Sequence, residues 1–235
     1  MVEGFSLVTI PMDDNLFFIL IFILIVLAII VISYYFNDRN KILRNLKKVP
    51  VKRIASIKEN EYAKLFGKAI ALDTTLVSPI SKRSCVYYQI KVEKKVNTGK
   101  SSSWKTIIKE EKYIDFALQS LQEKAIIHTN GSHKLTYLVK DVKKRSGFLN
   151  DASQNLEHYL NQHQESSEGF FGLNKTLRYN EGVIEIDEEI AVMGTGNWKE
   201  SDHNFDRYSS KTLYLSGDKT NKLLITDDPK ALTTG

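Results

Sequence analysis

Between Leu16 and Tyr35 the chain reads LFFILIFILIVLAIIVISYY, an apolar run with no charged side chain, and nothing downstream repeats it. A helix of about 20 residues rising ~1.5 Å each spans the ~30 Å hydrocarbon layer of a bilayer, so the pattern predicts a transmembrane helix over 16–36. Beyond it the period falls to two. Val86, Tyr88, Ile90 and Val92 alternate with Gln89, Lys91 and Glu93, which predicts a half-buried strand. ENEYAKLFGKAIAL reads as the first strand of the soluble fold, and KTLRYN, GVIEI, EIAVMGTG, TLYLSG and KLLITDD as later short strands spaced by turn residues. One stretch switches to helical spacing: in NDASQNLEHYLNQHQ, Leu156, Tyr159, Leu160 and His163 share a side, with Asn150 or Asp151 as the cap. The expected fold is mainly β (α+β), a barrel- or sandwich-like soluble domain with one helix lidding an end of the sheet.

Turn chemistry divides the strands. VNTGKSSS separates two β-rich runs, predicting a long hairpin over 86–118, and Asn130-Gly131 in EKAIIHTNGSHKLTYLV predicts a second, tighter hairpin. The expected organisation is a short extracytoplasmic N-terminus at 1–15, the membrane helix at 16–36, a basic juxtamembrane linker at 37–53 that Pro50 interrupts, and a β-rich domain at 54–232.

Charge fixes the expected topology. Arg39, Lys41, Arg44, Lys47, Lys48, Lys52 and Arg53 all follow the apolar helix, whereas Glu3, Asp13 and Asp14 precede it without any Lys or Arg. A cleavable leader would carry a basic start and a shorter apolar core, so the helix reads as a single-pass anchor. The basic side is retained inside, which predicts an N-terminus out and a cytoplasmic domain. Much of the net charge of +5 sits in that flank, where it suits anionic lipid headgroups. The rest of the sequence mixes signs without a basic stripe carrying stacking aromatics, so no nucleic acid is expected as a partner.

A single cysteine, Cys85, excludes an internal disulfide framework and the common cysteine-rich zinc sites. Catalysis by Cys85 would need a depressed thiol pKa. Lys82 and Arg83 are near in sequence, but the residue opens a strand and not a helix, so a packing role is favoured over a nucleophilic one, with redox chemistry or palmitoylation behind both. By alternation Cys85 shares a face with Tyr87, opposite Val86 and Tyr88, unless a bulge shifts the phase. His158 and His163, five apart, do not superpose as metal ligands. GTG at 194–196 and GKSSS at 99–103 lack the strand, loop and helix of a phosphate cradle. Adjacent acids such as Glu110 and Glu111 point to opposite sides of a strand. No catalytic residue, metal site or cofactor is expected. The candidate surface for a ligand or protein partner is the set Cys85, Tyr87, Tyr88, Trp104 and Tyr113, with core packing as the competing reading of the aromatics.

The block RIASIKENEYAKLFGKAIALDTTLVSPISKRSCVYYQIKVE resembles the GIDE family, or beside-a-membrane (BAM) domain: a strand, a glycine-lysine step, a serine-proline break and a cysteine-tyrosine strand next to a membrane helix. EGVIEIDEEIAVMGTG and LYLSGDKTNKLLITDD are similar to that family's closing half. The family includes organellar membrane ubiquitin ligases in which a RING recruits the charged enzyme. This chain has no RING cysteine set, so the resemblance implies the non-catalytic half, a membrane-apposed recognition module for protein, lipid or small ligand. Its alternative implication is a partner-dependent component of a ubiquitin-ligase-like system.

Overall fold

A computed structural model describes residues 14–147, 150–168, 174–200, 203, 205 and 210–233. The expected extracytoplasmic segment 1–15 lies almost wholly outside these, as does the Gly-Phe-Phe-Gly part of the SSEGFFG loop. Helix α1 (Asp14–Phe36) is apolar on every side, and its stretch from Asn15 to Phe36 is long and apolar enough to cross a membrane.

The folded domain starts earlier than expected, at Ile42 inside α2 (Asp38–Lys48). Ile42 and Leu46, one turn apart, are fully buried against Ala191, Met193, Leu224 and Ala231, with Leu43 and Val49 packed beside them. The supposed linker is thus largely part of the domain. Its lysines conceal an apolar stripe at 42, 43, 46 and 49, and the helix stops two residues before Pro50 because the residue preceding proline avoids helical backbone. A short 3-10 turn at Ile54–Ser56 follows.

The chain then runs β1 (Glu61–Ala71), β2 (Leu76–Val77), β3 (Ser84–Thr98), β4 (Ser101–Tyr113), β5 (Phe116–Ser120), β6 (Glu123–Ile127), β7 (Lys134–Tyr137) and β8 (Val142–Ser146). After these come α3 (Gln154–Gln162), β9 (Leu177–Glu185), β10 (Glu189–Glu200), β11 (Lys211–Ser216), β12 (Leu223–Thr226) and α4 (Pro229–Leu232). The mainly β expectation holds, and α2 and α4 join the one helix that was foreseen.

Five strands close a barrel in the order β1-β5-β6-β11-β10, because β10 also pairs with β1; β12 and β7 extend the sheet from β10. Leu65, Phe116, Leu118, Ile127, Val192 and Leu215 fill the interior. Ala191 and Met193, on the other face of β10, are covered by α2 and α4, so this strand is buried on both sides.

The second sheet runs β8-β9-β3-β4, with β2 sharing the β4 edge of β3. Its long β3–β4 hairpin matches the first predicted hairpin. Leu156, Tyr159 and Leu160 of α3 pack on Tyr88, Ile90, Val92, Tyr179 and Val183, so the helix covers a face of this sheet and not its end. Its cap is Ser153, whose hydroxyl accepts from the Leu156 amide at 3.4 Å, in place of Asn150 or Asp151.

The second predicted hairpin does not form. Gly131 takes the left-handed conformation, φ 73°, that its turn needs, yet β6 pairs with β5 and β11 while β7 pairs with β12. The Asn130 backbone and side-chain amides both donate to Asp115 (3.0 and 3.1 Å), which tethers the turn to the start of β5. Tertiary pairing therefore overrides local turn chemistry.

Candidate functional site, a basic sheet face beside Trp104

The aromatic surface expected from the sequence is mostly interior. Cys85 and Tyr87 are fully buried and Tyr88 nearly so; Trp104 and Tyr113 are partly exposed. The alternation argument fails at a bulge. Cys85 pairs with Glu185 but Tyr87 with Ile184, leaving Val86 as the extra residue. Cys85 consequently faces the α3 side with Tyr88, and Val86 and Tyr87 face the barrel core. Burial, aided by the charge of Glu181, pushes the Cys85 thiol up to about 11, away from thiolate chemistry.

The tyrosines lock the sheet to its surroundings. Tyr87 donates to Glu111, its hydroxyl lies 3.0 Å from that of Thr136, and its ring is 5.3 Å from that of Tyr113. Lys134 sits 3.4 Å over the Tyr113 ring. Glu110 accepts from Tyr88 (2.6 Å) and Tyr159 (2.7 Å), and His163 Nε2 lies 3.0 Å away. Burial pushes the Glu110 carboxyl up, but these contacts outweigh it and the net shift is downward. The cluster pins α3 to β4, a structural role that accounts for its polar atoms.

The sheet face away from α3 has a different character. Strand register places Lys109, Lys91, Asn180 and Lys143 in one row across β4, β3, β9 and β8, and Thr106, Glu93, Arg178 and Arg145 in the next. Lys95 and Trp104 are paired beyond them. Glu93 is buried; it accepts from Arg178 Nε at 2.5 Å and from Lys91 Nζ at 2.8 Å, and these hydrogen bonds, Arg178 first, hold its carboxyl down at about 2. Arg178 in turn stacks 4.4 Å from the Trp104 ring, with Arg145 at 5.9 Å.

Lys95, Lys109, Lys143 and Arg145 have no carboxylate partner among the described residues. Two like-charged pairs, Lys91 opposite Lys109 and Arg145 opposite Arg178, face each other directly, an arrangement that costs stability. The sequence hides this stripe because its members lie on four strands, each contributing only two or three residues. Only the register gathers them.

The predicted membrane-surface residues divide. Lys47 and Lys48 are exposed at the end of α2, where they complement its dipole, and Lys41 lies 3.9 Å from Asp38. Arg39 and Arg44, on α2, are half-buried. Lys52 is paired with Glu61, and Arg53 with Glu123 at 3.0 Å, so these two are engaged by the domain itself. Lys64, fully buried on β1, donates to the Leu46 carbonyl at 2.9 Å, and burial lowers its pKa.

Elsewhere, a cleft of about 350 Å³ lies between Leu72, Asp73, Ile114, Asp115 and Tyr214. Asp115 is already engaged there by His128 (2.5 Å), Thr129 and Asn130. No cluster of His, Cys, Asp and Glu among the described residues has the arrangement to hold a metal ion. No family model, curated protein or solved structure matches this chain.

Proposed function

We propose that the chain is a membrane-anchored, non-enzymatic recognition module whose binding surface is the basic face beside Trp104. The observation that carries the reading is the set of cations on that face: Lys95, Lys109, Lys143 and Arg145 are displayed together, Lys109 and Arg145 opposite like charges, and none has a carboxylate partner among the described residues. In this reading α1 crosses the membrane once with the N-terminus outside, the domain is cytoplasmic, and the exposed Lys47 and Lys48 lie near anionic headgroups. Anchoring raises the effective concentration of the face for anything on the same membrane. The resemblance of SPISKRSCVYYQIKVE to beside-a-membrane domains is in keeping with such a module.

Photo-crosslinking residues placed at positions 109 and 143, with position 219 on the β11–β12 loop as the control, test the surface in native membranes. Crosslinks confined to 109 and 143 are expected; equal labelling at 219, or none at 109 and 143, overturns the assignment. Topology is read from Lys219→Cys with a membrane-impermeant maleimide, since the buried Cys85 gives no background. Labelling in inverted vesicles and protection in intact cells is the expected result, and the reverse refutes it.

A further inference from the structure

The occupant of the basic face can be narrowed by a second feature next to it. Among the described residues β4 pairs only with β3, so its other edge presents unpaired backbone donors and acceptors along a strand of 13 residues, roughly 40 Å at about 3.3 Å per residue. The strand reads SSSWKTIIKEEKY, and Lys105, Lys109 and Lys112 on it are exposed. Lysines on an open edge ordinarily prevent pairing, because two copies of the same edge would bring like charges together. They have the opposite effect on an acidic strand, which they attract.

We infer that the occupant is an acidic, extended polypeptide segment of a partner protein, which adds as a strand to the open edge of β4. Its carboxylates lie beside the lysines of β4 itself, Lys109 on the basic face and Lys105 and Lys112 on the other. The inference rests on the recognition reading above and adds the chemistry of the partner. Backbone pairing supplies the extended geometry, and Lys105, Lys109 and Lys112 of β4 supply the preference for acids. A single-stranded nucleic acid is less well matched. Such ligands need a succession of open aromatic faces, whereas Trp104 is the one aromatic among the described residues of these rows and is stacked on by Arg178. A lipid surface would use the cations but not the strand edge.

The test uses the full chain in nanodiscs of zwitterionic phosphatidylcholine. The probe is a fluorescent 12-residue peptide of alternating Glu and Val; the comparison probes are a Glu-Pro repeat of equal charge, oligo-dT and phosphatidylserine vesicles. The Glu-Val peptide is expected to bind about tenfold or more tightly than the Glu-Pro peptide, which cannot pair as a strand. The double variant Lys105→Glu, Lys109→Glu is expected to weaken it about tenfold or more, while Lys219→Glu leaves it unchanged. An unchanged melting temperature in the double variant separates lost binding from lost folding.

Equal affinity for the Glu-Val and Glu-Pro peptides overturns strand addition. Charge-sensitive binding of oligo-dT or phosphatidylserine without binding of the Glu-Val peptide overturns the acidic-peptide assignment and leaves the recognition reading standing. If no probe responds to the double variant and positions 109 and 143 give no crosslinks, both readings fall.

Discussion

The barrel and the open sheet use similar strands and finish them differently. In the barrel, β1 and β10 pair with each other and close the ring, and β10 is covered inside by the core and outside by α2 and α4. In the open sheet α3 covers one face, while the other keeps cations in register and β4 keeps a free edge. Closed edges and two-sided burial leave a strand little to offer a partner. On the proposed reading, the difference separates a region that carries stability from one that meets a partner.

The largest effect expected from this division is in the barrel. Phe116→Ala removes a fully buried ring and should cost about 3–5 kcal/mol. The two tryptophans report the regions separately: Trp198 lies in β10, with its indole N–H donating to the Ile57 carbonyl at 2.8 Å, and Trp104 lies in β4. Single-tryptophan versions in a denaturant titration should both lose midpoint together, because Val86, Tyr87 and Ile184 of the open sheet pack into the same core as Phe116. A Trp104 transition that does not move with Phe116→Ala would break the comparison by making the open sheet an independent unit.

Glu181→Ala should cost about 2–4 kcal/mol. This carboxylate is fully buried and accepts from the amides of Ile80 (3.0 Å) and Ser81 (2.8 Å), which would be left without partners. Asn155 donates to the Ile80 carbonyl at 2.9 Å, so the loss should spread to α3. Hydrogen exchange of the Ile80 and Ser81 amides should quicken well before that of the barrel strands. Uniform quickening would show that the loop is a support for the whole domain and not for the open sheet alone.

The parts legible in the sequence are those set by local pattern: the apolar run of α1, the β3–β4 hairpin, and the Leu156, Tyr159, Leu160 face of α3. Three features depend on long-range partners and were hidden. The Asn130-Gly131 turn reads as a hairpin until β11 and β12 compete for β6 and β7. The Cys85 face is set by a one-residue bulge that alternation cannot register. The basic face is assembled from β3, β4, β8 and β9, so no window of sequence contains it. The α2 stripe was legible, since 42, 43, 46 and 49 have helical spacing, but the surrounding charge suggested a lipid-facing linker.

A smaller effect sits where the barrel meets the open sheet. Asp227, just after β12, accepts from the Val139 amide at 2.8 Å, and Asp141 accepts from the Val183 amide of β9 at 2.9 Å. Gly182 permits this close approach, since a Cβ there would lie 2.5 Å from the Val139 carbonyl oxygen. Arg83 bridges Glu185 (2.7 Å) and Asp141 (3.5 Å). Burial first, then the charges of Glu188 and Asp141, push the Asp227 carboxyl up to about 7, and burial raises Glu188 as well.

The folded chain therefore keeps a proton on Asp227 that the unfolded chain loses near pH 4. Stability should fall as pH rises from about 4 and level off above about 7, where the penalty is complete. D227N should flatten that slope and be more stable than the parent above pH 7, by on the order of 2 kcal/mol. Denaturant midpoints across pH 5–8 measure it. An unchanged slope would remove Asp227 from the junction's pH response.

The smallest effect on stability tests the division most directly. Lys143→Glu and Arg145→Glu alter charges that have no carboxylate partner among the described residues, and Arg145 faces Arg178 directly across the strands. Each should change stability by no more than about 0.5 kcal/mol, and Arg145→Glu should be neutral or slightly stabilising because it replaces repulsion with attraction. Screening sets a further condition: any gain should shrink between about 0.01 M and 1 M salt, as the Debye length falls from ~30 to ~3 Å. A loss above about 1 kcal/mol would mean that the cations support the fold, through Trp104 stacking or otherwise, and the case for a binding face would fail. A gain that salt suppresses is what a surface that holds like charges together, at some cost to the sheet, should give.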